Sequence, residues 1–75
     1  MIEQQVIQIL SKHCEVPYVD IALHHRIQQD LGVDSLGVVE IVLDIENQFD
    51  CECPDHKIRS LRTVADVVEF VKNSA

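Results

Sequence analysis

The chain has 75 residues, 47% of them hydrophobic, and a formal net charge of −7 at pH 7. That length allows a single domain over residues 1–75 and excludes any large catalytic scaffold; a chain this short buries only roughly 60–65% of its unfolded surface. The acidity argues against nucleic acid and anionic membranes as partners and for basic patches on other proteins.

Ile2, Val6, Ile9 and Leu10 recur at helical spacing and predict a first amphipathic helix over 2–13, closed by Pro17. Residues 15–33 form a long connection with Val19, Ile21, Leu23 and Ile27 as apolar anchors and room for a short turn of helix. Gly32 suits a tight turn. Asp34, a good N-cap type, precedes a second helix over 35–49.

That helix carries two apolar stripes. Val38, Val42, Ile45 and Phe49 suit a core, and Leu36, Val39 and Leu43 form a second row edged by Glu40, Glu46 and Asn47. So small a bundle has no room to bury both, so the second row is expected to be a partner surface. From Ile27 to His56 there is no Lys or Arg, which marks the same region as an acidic docking face. Gly37 costs roughly 1 kcal/mol relative to Ala in a helix interior; either it is simply tolerated there or it keeps the surface beside Ser35 low for an approaching enzyme.

Asp50 and the run Cys51 to Pro54 end the second helix. A short third helix is expected over 56–61, capped by Asp55, with Ile58 and Leu61 inward. Thr63-Val64-Ala65-Asp66 resembles a capping box with Asp in place of Glu, opening a last helix that buries Val64, Val67, Val68 and Val71, flanked by Phe70. The expected fold is all-α: a four-helix bundle of three main helices and one short one, with a long loop between helices 1 and 2.

Other chemistry is weakly supported. Gly32 to Gly37 fails the G-x-S-x-G pattern, because Val33 stands where Gly is needed. Cys51 and Cys53 are too close for a usual zinc pair, so no metal site is expected, and Cys53 reads as a small buried hydrophobe. His24 and His25 read as an exposed, ordinary pair. The odd cysteine count, the absence of a basic-then-apolar leader and the lack of any apolar run long enough to span a membrane predict a reducing, cytoplasmic location.

The run Asp30-Leu31-Gly32-Val33-Asp34-Ser35-Leu36 resembles the D-L-G-x-D-S-L signature of the acyl carrier protein family. The likeness continues through Val39-Glu40, Glu46 to Asp50, Pro54-Asp55 and Thr63-Val64. The resemblance implies a carrier with no catalysis of its own and no catalytic residues. Ser35, flanked by Asp34 and Leu36, would bear 4'-phosphopantetheine from coenzyme A and hold acyl groups as thioesters.

It further implies docking through Leu36, Val39, Glu40, Leu43 and Glu46. An acyl cavity, itself part of the core, would be lined by Ile27, Val42, Ile45, Ile58, Leu61, Val67 and Phe70. The implied partners are a phosphopantetheinyl transferase, acyl-transfer and synthase enzymes with basic docking patches, and acyl chains; a monomer is expected. The pathway would be fatty-acid, polyketide or related synthesis. Gly37 and Asn47 stand where fatty-acid carriers often have acids, which implies weaker docking or docking tuned to another enzyme. Two alternatives stay open: a peptidyl or other specialised carrier, and an unmodified helical interaction module.

Overall fold

The computed structural model describes residues 2–74. Its architecture is a four-helix bundle: α1 (Ile2–His13), α2 (Ser35–Phe49), the short α3 (Asp55–Ile58) and α4 (Val64–Ser74). α1 packs against α2 and α4, and α2 also meets α3. No strand occurs among the described residues, only an isolated antiparallel bridge between Arg26 and Thr63.

Each long helix follows from local signals. α1 buries Val6, Ile9 and Leu10, with Glu3 in its first turn and Lys12 and His13 in its last, the charge order that suits the helix dipole. α2 begins at Asp34, whose Oδ1 accepts the Gly37 N–H at 2.7 Å. It stops at Asp50, which adopts left-handed geometry (φ 51°) and donates its N–H to the Glu46 carbonyl. α4 opens on a reciprocal capping box: Thr63 Oγ1 accepts the Asp66 N–H at 3.1 Å, and Asp66 Oδ2 accepts the N–H groups of Thr63 and Arg62, each at 3.0 Å. Its buried stripe is Val64, Val67, Val68, Phe70 and Val71.

The long connection departs from its expected anchoring. Ile21 and Ile27 are buried, but Val19 is 83% exposed and Leu23 is exposed too. Leu23 anchors through its backbone, since its carbonyl accepts the Ala65 N–H at 2.9 Å. Two further backbone bonds tie the segment to the start of α4: Val64 N–H to the His25 carbonyl at 3.0 Å, and Ile27 N–H to the Arg62 carbonyl at 2.9 Å. A 3-10 turn over Tyr18–Asp20 follows Pro17, and Gly32 takes a positive φ of 72°.

The third helix is shorter and earlier than its expected 56–61. Pro54 holds the cap position and Asp55 is the first helical residue, so Asp55 is not the cap. Proline's fixed φ suits that place, and Leu61 lies beyond the helix, buried.

Nor is His25 an ordinary exposed imidazole. It is half-buried, and its Nδ1 accepts the Ala22 N–H at 3.0 Å. Cys53 is buried, as expected, and no cluster of metal-ligating side chains occurs among the described residues.

Candidate functional site

Ser35 is the first residue of α2 and is exposed. Its position is held from both sides. Asp34 is committed to the helix cap, and Val33 beneath it is buried. Upstream, Asp30 closes the loop on itself: Oδ2 accepts the Arg26 N–H at 2.8 Å, and the Arg26 guanidinium donates to both carboxylate oxygens. The Arg26 N–H first, and its guanidinium next, hold the Asp30 carboxyl below its usual range. The first turn of α2 contains no acid, so the positive end of the helix dipole at Ser35 suits a phosphate.

Ser35 also lines a cavity of about 730 Å³ between α2, α3 and the long connection. Val38, Val39, Ile58 and Leu61 form its apolar part; Gln28 and Gln29 join it from the connection. Of the seven positions that the resemblance places around an acyl cavity, Ile58 and Leu61 line this space. Leu61 shares one buried core with Ile27, Val42, Ile45, Val67 and Phe70, and Ile58 packs against it, so the cavity borders the core rather than standing apart from it. Val38, expected in the core, and Val39, expected in the docking row, line the cavity as well.

The outward row of α2 is exposed as its pattern predicts, with Leu36 at 67% and Leu43 at 53%. Val39 is exposed at 39% and joins this row to the cavity. Three of the nearby acids have partners within the fold. Glu46 Oε2 accepts the Cys53 N–H at 2.8 Å and so fastens the turn after α2. His13 Nε2 lies 2.5 Å from Asp44 Oδ2, and its Nδ1 lies 4.0 Å from Glu40 Oε2. His13 thus joins the end of α1 to the acidic side of α2, a link that no local pattern announces.

The phosphopantetheine attachment site family matches residues 4–71. The chain belongs to this family, that of the acyl carrier proteins. Acyl carrier proteins from two strains of Rickettsia bellii are 39% and 41% identical to it over 71 residues. In each case 95% of this chain is covered, with 83% and 88% of the relative. The solved acyl carrier protein from Enterococcus faecalis superposes with a TM-score of 0.85 at 28% identity, over 99% of this chain and 94% of that one. The protein is therefore a carrier rather than an enzyme, and its cofactor is covalently attached 4'-phosphopantetheine. The carrier's partners are synthase enzymes and acyl chains, and no described helix is long and apolar enough to cross a membrane.

Proposed function

We propose that Ser35 is the attachment point of the arm. The observation that carries this is the exposed hydroxyl at the N-terminus of α2, opening on a cavity large enough for an arm and a short acyl group. In the loading step, Ser35 Oγ forms a bond to the pantetheine-side phosphorus of coenzyme A. The pyrophosphate bond breaks, 3',5'-ADP leaves, and the hydroxyl proton passes to a base of the transferase.

A phosphopantetheinyl transferase and the synthase enzymes then read Leu36, Val39 and Leu43 together with Glu40, through basic patches of their own. Asp34 contributes less as a docking charge, because its carboxylate caps α2. Glu46 acts mainly on the turn at Cys53. Acyl chains lie against Val38, Val39, Ile58 and Leu61, of which Val38 and Leu61 belong to the core. The setting is cytoplasmic fatty-acid or related synthesis, and the chain is a phosphoprotein once loaded.

The test is intact mass after incubation with coenzyme A, magnesium and a promiscuous transferase. A gain of one phosphopantetheine unit is expected for the wild type and none for Ser35→Ala. A gain in Ser35→Ala, or none in a folded wild type given its own organism's transferase, would overturn the assignment.

A further inference from the structure

His13, the last residue of α1, lies against two acids of α2. Its Nε2 is 2.5 Å from Asp44 Oδ2, and its Nδ1 is 4.0 Å from Glu40 Oε2. An ionised carboxylate only accepts hydrogen bonds, so the proton between ring and Asp44 belongs to Nε2. A neutral ring has no other, which leaves Nδ1 bare on the side of Glu40. A second proton enters at Nδ1 and turns a positive charge toward that carboxylate.

The three side chains differ in access. The ring is only 18% exposed, while Glu40 is 61% and Asp44 49% exposed. The ring therefore sits behind the acids, whose outer sides stay open to a partner. A shallow recess between the end of α1 and the start of α2 places His13 with Asp34, Leu36 and Glu40, close to Ser35. A protein seated on Leu36 and Glu40 meets the field of this ring.

Among the described residues, no other cation pairs with either acid. Lys12, beside His13 on α1, is exposed and forms no ion pair. On α4, Lys72 pairs with Glu3 near the opposite end of α1, Asp66 caps its own helix and Glu69 is exposed. Asp20 of the 3-10 turn is exposed and unpaired among the described residues. A neutral ring leaves both carboxylate charges for a basic partner, and a charged ring cancels one of them at close range.

We propose that His13 makes the end of α1 part of the docking surface, and that the charge on its ring sets how strongly a basic phosphopantetheinyl transferase is drawn to Glu40 and Asp44. The proposal rests on α2 being the docking face. An imidazole changes charge between about pH 5 and 8, so docking weakens toward the acid end of that range.

Initial loading rates are measured by intact mass for the wild type, His13→Gln and His13→Lys, with coenzyme A, magnesium, a promiscuous transferase and carrier below KM. Each variant is compared with the wild type at the same pH, so the transferase's own pH dependence cancels. At low salt, His13→Gln is expected to load about threefold faster than the wild type at about pH 6, and the two rates should converge at about pH 8. His13→Lys keeps its charge throughout, so it should load about threefold more slowly than the wild type at about pH 8 and come close to it at about pH 6. Both differences should shrink at about 0.5 M salt. Circular dichroism at both pH values checks that the variants are folded.

Loss of a link between α1 and α2 alone would shift loading by the same factor at both pH values. That result for His13→Gln, or wild-type loading by His13→Lys at the higher pH, would overturn the proposal and leave the docking face standing. Wild-type loading by Glu40→Lys in the same assay would instead overturn the docking face, and this proposal with it.

Discussion

A Cβ added to Gly37 would stand 2.6 Å from Cγ1 of Val33 and 3.2 Å from Oδ1 of Asp34. The buried Val33 side chain thus fills the space that the glycine leaves, directly beneath the cap that positions Ser35. Gly37 is accordingly a packing requirement rather than a device for lowering the surface beside the serine. Ala in its place gains roughly 1 kcal/mol of helix propensity and meets a contact far closer than van der Waals distance. Gly37→Ala should destabilise the wild type by about 1 kcal/mol or more, yet be neutral or stabilising in a Val33→Ala background. Urea unfolding of the four proteins in this cycle tests it, and additive effects would remove the Val33 explanation.

The α4 cap should make stability depend on pH. Burial by itself would raise the Asp66 carboxyl, but the N–H groups of Thr63 and Arg62 and the Thr63 hydroxyl outweigh it and hold the group below its usual range. Because the folded value is the lower one, the contribution is complete above the unfolded value of about 4. It is lost as pH falls through the folded value. Asp66→Asn should lower stability at pH 7 by about 1 kcal/mol and approach the wild type in acid. Chemical unfolding in steps down to about pH 3 measures this, and a gap that does not close in acid would contradict it.

Glu40 and Glu46 should separate docking from folding. Glu40→Lys is expected to slow transferase loading by about tenfold at low salt, with the deficit shrinking at high salt, because steering by exposed charge is screened. Glu46→Ala removes the acceptor of the Cys53 N–H and should chiefly lower the melting temperature. Initial loading rates at two ionic strengths, with thermal melts of the same samples, distinguish the two effects. Equal loading rates for Glu40→Lys and wild type would show that this acid is not read.

The cysteines beyond α2 should be poor nucleophiles. Burial first, and the Glu46 carboxylate next, push the thiols of Cys51 and Cys53 up. Less thiolate and less access both slow alkylation, and Cys53 is the more buried of the two. In the folded protein at pH 7, iodoacetamide should modify Cys53 about tenfold more slowly than after denaturation, as read by peptide mass. Comparable rates in both states would show that the end of α2 opens readily.

Features that depend on residues three or four positions apart were legible before any fold was known. The bounds of α1 and α2, the Asp34 cap on Gly37 and the Thr63–Asp66 capping box are all of this kind, because a helical turn brings such residues together whatever the rest of the chain does. The exposed row of Leu36, Val39 and Leu43 was legible for the same reason. The ends of α3 were not, because one turn carries too little periodicity to fix its register.

What crosses between elements follows from the packed fold alone. It joins His13 to Asp44, fastens Glu46 to Cys53, and anchors Leu23 by its backbone while its side chain is exposed. It also divides the core: Val38 and Leu61, with Val39 and Ile58, border the cavity, while Ile27, Val42, Ile45, Val67 and Phe70 do not. That division, and the gathering of Arg26, Arg59 and Arg62 beside Ser35, depends on how α3 and the long connection settle against α2 and α4, and periodicity within one helix says nothing about the distance to another.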